Sequence, residues 1–352
     1  MNKKQFIVLL VLAVVIVWVA DLLAGNYLSA KLATSQFARK FNLFNPQAPI
    51  VVTNENTVRV NSDKDPVQTA ENSKSKTATV VYFENGQLIT SGAAVNWTSD
   101  GYFVSVKQAL GLKDKVYAVM TSAGDLYPIE KSYSDPASSL VILQTSAQNL
   151  PVLDPANSKD LRVGEQVVTL LNSLGNEQTT FKTGYVSRSA TDHSGLVYES
   201  DLVSGGVYLQ IDNPALGSAV INLSGRLVGI WDGSKVIETS DVRLLVNNFL
   251  TNNKIISRPS YGFSYQILST SEAKALQTVS GARIMGIATG KLAASLGLKT
   301  GDVITEIDNK KISSDTDLDN LLRTFKSGDI VSIVVNKQGT VQNYNLNVGT
   351  LK

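Results

Sequence analysis

A mainly β fold is what this sequence predicts, with a large all-β body, a smaller α+β domain behind it and an apolar helix in front. Short β-branched runs separated by turn residues fill positions 77–249 at the spacing of a sandwich or barrel. From Ser260 onward such runs mix with two segments of helical period. At the other end, Phe6 to Ala20 is unbroken apolar sequence.

That apolar stretch follows Lys3 and Lys4 and resumes after Asp21 with Leu22, Leu23 and Ala24, a length near the ~20 residues needed to cross a bilayer. Signal-peptide cleavage wants small residues at both key positions before the cut, and Leu22-Leu23-Ala24 and Leu28-Ser29-Ala30 both lack them. Residues 1–26 are therefore expected to form an uncleaved single-span anchor. Lys3 and Lys4 favour a cytoplasmic N-terminus and an exported body, although Lys31, Arg39 and Lys40 beyond the span pull the other way. Residues 27–76 read as stalk and linker, with Leu28, Leu32, Phe37 and Phe41 at loosely helical spacing. Pro46, Pro49 and Pro66 then stand among polar residues, and a hairpin signal falls at 50–60.

The body is expected over 77–256. Its strands are read from Thr79-Val80-Val81-Tyr82-Phe83, Val116 to Met120, Val167 to Leu171 and Leu227 to Ile230, each bounded by turn residues such as Asn85-Gly86 and Gly124-Asp125. A helix from about Asp241 to Leu250 closes it, with Val242, Leu245, Val246 and Phe249 on one face. Arg258-Pro259 marks the boundary to the second unit, 257–352, whose helices are read at Ser271 to Gln277 and Asp315 to Lys326.

Composition excludes several classes of function. The 352 residues are 43% hydrophobic and 18% charged, ordinary for a chain that buries proper cores. A net charge of +2, from 32 basic and 30 acidic residues without a sustained run, gives no footprint for nucleic acid. Zero cysteines and one histidine, His193, leave neither disulfides nor a metal-ligand cluster, so no cofactor is expected.

The motifs are more specific. Thr98-Ser99-Asp100-Gly101-Tyr102-Phe103-Val104, Asp135-Pro136-Ala137-Ser138-Ser139-Leu140, Leu161 to Val168 with Asn172-Ser173-Leu174-Gly175, and Ile221 to Ile230 occur in an order that resembles the high-temperature-requirement (HtrA) proteases. The resemblance implies a chymotrypsin-like double β-barrel, and it registers Gln108, Ser139 and Leu216 on the positions of the catalytic His, Asp and Ser. Between Asp212 and Ile221 the chain is shorter than the family's nucleophile loop. Counting back from Gly225 puts Pro214 on the glycine whose amide supplies half of the oxyanion hole, and proline has no N–H to donate. A barrel without protease chemistry is the expected outcome, since a Ser-His-Asp triad needs an imidazole as base. The shortened loop also admits Gly217-Ser218-Ala219 as a nucleophile turn, with His193 or Lys107 as base, against the plainer reading of Ser218 as a small residue in a tight turn.

The second unit resembles a PDZ domain through Ser280-Gly281-Ala282-Arg283-Ile284, the run Ala293 to Ile304, Glu306 to Ile312 and Ser327-Gly328-Asp329. Ser260-Tyr261-Gly262-Phe263 is similar to that domain's carboxylate-binding loop, where backbone amides converge on a peptide's last carboxylate and the following strand pairs with the peptide. Leu318 and Leu322, one helical turn apart, either face that groove or belong to the core. Together the resemblances imply a membrane-anchored HtrA-like pseudoprotease that binds peptides or C-termini of exported proteins in envelope quality control, as adaptor, regulator or holdase. The alternatives are a divergent serine endopeptidase using Ser218 and an oligomeric scaffold that binds no peptide. HtrA-type proteins commonly assemble, so a homo- or hetero-oligomer is implied as well. The sequons at Asn96 and Asn222 lie in strand-like sequence and read as accidental.

Overall fold

Residues 65–157, 161–172, 179–189, 195–252 and 254–351 are described in a computed structural model of the chain. All of them belong to one compact unit, Val60–Lys352. No helix among the described residues is long and apolar enough to cross a membrane, and the anchor, the stalk signals up to residue 64 and the hairpin at 50–60 lie outside them.

The end of the expected linker is folded. Helix α1 (Pro66–Ser73) starts where Asp65 accepts the Val67 amide at 2.9 Å and Pro66 takes the first helical position, where its missing N–H costs nothing. Ala70 enters the main core, and Thr69 Oγ1 donates to Leu223 O at 3.3 Å.

The first barrel is a sheet of β1 (Thr77–Glu84), β2 (Gln87–Asn96), β3 (Tyr102–Val106), β4 (Tyr117–Thr121), β5 (Leu126–Pro128), β6 (Lys131–Ser134) and β7 (Leu140–Gln144), in the order β5-β4-β1-β2-β3-β7-β6. Alternate side chains on a strand point to opposite faces. Val80 accordingly joins the barrel core with Phe103, Val119 and Leu143, while Val81 joins Ala118 and Met120 on the other face. The second barrel comprises β8 (Gln166–Asn172), β9 (Thr179–Arg188), β10 (Tyr198–Glu199), β11 (Tyr208–Gln210), β12 (Ala219–Asn222), β13 (Leu227–Trp231) and β14 (Val236–Glu238). Its sheet runs β11-β9-β8-β12-β13-β14, and β10 leaves it.

The largest core lies between the barrels, where Val104, Leu140 and Ile142 of the first meet Val168, Ile221 and Ile230 of the second. Helix α2 (Thr239–Thr251) closes it with the Val242, Leu245, Val246 and Phe249 face read from the sequence. Phe249 sits edge-on to Tyr102, with ring centroids 5.8 Å apart, and tilted over Tyr133 at 4.6 Å.

The second unit holds β15 (Arg258–Ser260), β16 (Phe263–Leu268), α3 (Thr270–Ala275), β17 (Gly281–Ile287), α4 (Leu292–Ser295), β18 (Val303–Ile307), β19 (Lys310–Lys311), α5 (Leu318–Thr324), β20 (Ile330–Lys337), β21 (Thr340–Asn347) and β22 (Gly349–Leu351). Its main sheet is β10-β16-β17-β18-β20-β21, so a strand from the barrel unit completes the edge beside β16. Helix α3 begins with a full capping box between Ser269 and Glu272.

Candidate functional site

Three segments, the turns at 107–110 and 135–140 and the loop at Leu216, are tied together by short contacts. The turn Lys107–Leu110 follows β3, and its first amide donates to Ser139 O at 2.7 Å, which ties residue 139 to the segment carrying Gln108. Leu216 O accepts the Ala93 amide at 2.8 Å. Next to it, a Cβ placed on Gly92 would lie 2.7 Å from Leu216 O and 2.8 Å from Ala109 Cβ, so the 108–109 turn and the Leu216 loop press on the same glycine. Gln108 is exposed and Leu216 half-buried against the main core, while the Ser139 hydroxyl is buried with no hydrogen-bond partner among the described residues.

The loop 212–218 is held by backbone contacts. Lys182 Nζ donates to Asp212 O at 2.8 Å and Asn213 O at 2.7 Å, fixing the entry to Pro214. Gly217 takes φ +79° with Ala93 O and Ser105 Oγ filling the space where a side chain would project, so no other residue fits there. A cleft of about 270 Å³ beside the loop is lined by Leu170, Thr180, Lys182, Pro214 and Leu216. Ser218 is 1% exposed, and its hydroxyl donates to Ala215 O at 2.7 Å within its own turn. Lys107 Nζ donates to Asp135 O at 3.2 Å. The structure therefore engages Ser218 and Lys107 with separate carbonyls, and His193 lies outside the described residues.

The second site is the loop before β16. Gly262 sits at φ +82° against the Lys291 side chain, which leaves no space for a Cβ. The amides of Tyr261 and Gly262 converge on one atom, Asp201 Oδ1, at 2.7 and 2.8 Å, and Ser260 Oγ donates to Asp201 Oδ2 at 2.6 Å. Lys291 Nζ stands 4.0 Å from the same carboxylate. Burial pushes the Asp201 carboxyl up, but the hydrogen bonds from Ser260, Tyr261, Gly262 and Ser200 outweigh it and hold the group below the usual carboxylate range.

Main-chain pairing continues this contact. Ser200 N donates to Phe263 O at 2.9 Å, Phe263 N donates to Ser200 Oγ at 3.0 Å, and β10 pairs antiparallel with β16, Tyr198 opposite Tyr265 and Glu199 opposite Ser264. The Tyr198 ring stacks on Tyr265 with centroids 5.5 Å apart. On the far side, Asp319 of α5 accepts the Gly205 amide at 2.7 Å. The chain's own residues 198–205 thus run between β16 and α5. Leu318 and Leu322, at 0% and 1% exposure, are core residues of the cluster that also contains Tyr198, and the Tyr261 hydroxyl donates to Leu322 O at 2.6 Å.

Comparison with known proteins agrees with this two-part architecture. Residues 77–230 match the trypsin-like peptidase domain and residues 231–348 the PDZ domain. The sequence is 26% identical over 283 residues to the serine protease Do-like HtrA of Lactococcus lactis subsp. lactis, covering 72% of this chain and 69% of that protein. A trypsin-like peptidase domain followed by a PDZ domain is the make-up of this chain, which is similar to HtrA-type proteases. A probable periplasmic serine endoprotease, DegP-like, of Pseudomonas putida is 25% identical over 283 residues, and there the match covers 75% of this chain and 57% of the relative. Among solved structures, the HtrA-type protease AlgW with a tripeptide superposes with a TM-score of 0.63 at 21% identity, covering 81% of this chain and 97% of that one. The serine endoprotease from Yersinia pestis superposes with a TM-score of 0.53 at 18% identity, over 82% and 98% of the two chains.

The residues that join PDZ domain to barrel carry no motif. Lys235, 9% exposed, donates to the carbonyls of Val203, Ser204 and Gly205 at 2.8, 2.5 and 2.8 Å. Its burial lowers its affinity for the proton, against the pull of Asp232. Arg323 on α5 reaches Asp241 of α2 and Asp319 of its own helix, each at 2.6 Å, and all three are buried. Asp201, Lys235, Asp319 and Arg323 were invisible as site residues in the sequence because the contacts that join the two domains, to Tyr261, Gly205 and Asp241 among others, lie far along the chain.

Proposed function

We propose that this HtrA-type protein is a membrane-anchored pseudoprotease that recognises peptides or exposed C-termini of exported proteins through its PDZ domain, serving as adaptor, regulator or holdase in envelope protein quality control. The observation that carries the reading is the neighbourhood of Leu216. The resemblance registers an aliphatic side chain on the nucleophile position, Gln108 and Ser139 on those of base and orienter, and on the oxyanion glycine Pro214, which has no N–H to offer. Supporting it, the Ser218 hydroxyl already donates to Ala215 O and has no base on it among the described residues. The apolar run of Phe6 to Ala20 supports the anchor, and relatives named as periplasmic support an exported body.

The test is an incubation of the full-length protein with an unfolded protein substrate, together with a fluorophosphonate probe. No turnover and no labelled serine are expected; turnover that Ser218→Ala abolishes would overturn the reading in favour of a divergent endopeptidase. For the anchor, the full chain should sediment with membranes and a chain lacking residues 1–26 should not.

A second reading, an oligomeric scaffold whose PDZ contacts are internal, is favoured by the filling of the carboxylate loop by Asp201. Titration with peptides bearing a free or amidated terminus separates the two.

A further inference from the structure

We infer that residues 196–203 are a built-in competitor for the PDZ groove, held by the Asp201 carboxylate, and that an incoming peptide binds by setting its terminal carboxylate in the place of Asp201. This rests on the peptide-binding reading above and specifies how that site is regulated.

The internal segment satisfies each requirement of a terminal-carboxylate ligand. A carboxylate must meet converging amides, and Asp201 Oδ1 receives those of Tyr261 and Gly262. The ligand backbone must extend the sheet beside β16, and Ser200 and Phe263 exchange main-chain and side-chain hydrogen bonds while Tyr198 and Glu199 pair with Tyr265 and Ser264. Side chains must alternate in and out, and Tyr198 is 2% exposed while Glu199 is exposed. The carboxylate comes from a side chain, since Asp201 is followed by more chain.

Being intramolecular, this ligand competes at high effective concentration, so the groove stays shut to weak ligands. The contact can still exchange, because Asp201 keeps 17% of its side chain exposed and a cleft of about 410 Å³ lined by Asp201, Gly262, Phe263 and Ile287 opens beside it. Release has a route to the barrels. Val203 N donates to Ala137 O at 2.7 Å, two residues from Ser139, so a segment that leaves the groove also loosens the 135–140 turn.

The probe is the pentapeptide Leu-Val-Tyr-Glu-Ser, the sequence of residues 196–200, ending in a free carboxylate and labelled at its N-terminus. Its binding to full-length protein is read by fluorescence anisotropy, wild type against Asp201→Asn, with the amidated peptide as control. Hydrogen exchange at Ser200 and Val203 is read in parallel, and unchanged exchange in β1 to β4 certifies the fold of the variant. Asp201→Asn is expected to bind about tenfold tighter or more, because the competent fraction rises. Amidation should remove binding, and exchange at Ser200 and Val203 should quicken in the variant and in peptide-saturated wild type. Equal affinities for the two proteins overturn the competition and leave peptide binding standing. No binding to either protein, with exchange quickened in the variant, overturns the peptide-binding reading itself and favours the scaffold.

Discussion

Arg258 and Asp135 form a buried fork, Nε to Oδ1 at 2.9 Å and Nη2 to Oδ2 at 2.7 Å, with side chains 3% and 0% exposed. The first residue of the PDZ strand β15 is thereby bonded to the turn that leads into Ser139. Removing one partner leaves the other charge buried and uncompensated. Arg258→Ala is expected to cost about 3–5 kcal/mol in chemical denaturation. Arg258→Lys should recover little of it, since an ammonium cannot reproduce the two-point fork. A loss under about 1 kcal/mol would mean the pair is solvated in the working protein.

Acid should dissolve the same contact. Burial pushes the Asp135 carboxyl up, but the hydrogen bond and charge of Arg258, with help from Ser138 and Ala137, outweigh it and hold the group below its ordinary value. A folded-state pKa below the unfolded one gives stability that is complete above the unfolded value, about 3.9, and is lost as pH falls through the folded value. Asp201 is displaced in the same direction and adds to the effect. Denaturation midpoints are expected to drop below about pH 4, with a shallower drop in Asp135→Asn. An identical acid limb in the variant would assign it to other carboxylates.

The architecture was legible in the sequence where a local pattern decides it. The α2 face of Val242, Leu245, Val246 and Phe249 and the strand runs sit as their spacing implied. Asn96, at 2% exposure, donates to Ser75 O and Pro151 O, in keeping with an accidental sequon. Helix α1 was missed because its signal is the Asp65-Pro66 cap and not an apolar stripe; only Ala70, Thr69 and Ser73 are buried. The occupied groove was missed for a different reason. Glu199-Ser200-Asp201 has no marked composition, and its meaning comes from partners about 60 residues on, which no local rule couples.

The Arg323 cluster offers a test of the joint between units. Asp241 and Asp319 share one guanidinium, and Asp319 also holds Gly205 at the end of the groove segment. Burial raises the Asp241 carboxyl, against the pull of Arg323. Arg323→Met should therefore strand two buried acids and cost about 3–5 kcal/mol. The triple replacement with Asp241→Leu and Asp319→Leu should recover much of that, because exchanging a whole buried ion cluster for apolar groups is often neutral. It should also quicken exchange at Gly205, whose acceptor is gone. Recovery of stability with Gly205 still protected would show that Lys235, on the carbonyls of Val203, Ser204 and Gly205, holds this end of the segment without Asp319.

Rebuilding the triad separates the nucleophile from the oxyanion site. Gln108→His, Ser139→Asp and Leu216→Ser together would supply base, orienter and hydroxyl, and the Lys107 N to Ser139 O bond already ties two of these segments together. Under the pseudoprotease reading the triple variant still turns over substrate poorly, because Pro214 offers no N–H where negative charge develops. Adding Pro214→Gly should raise kcat by about 10²–10³, the usual worth of one oxyanion donor, with a smaller change in KM. The Lys182 contacts to Asp212 and Asn213 set the loop's entry, so Lys182→Met should reduce that gain by loosening the position of the new amide. Equal turnover by the triple and fourfold variants would show that residue 214 is not the oxyanion position, and with it that the registration of Leu216 is wrong.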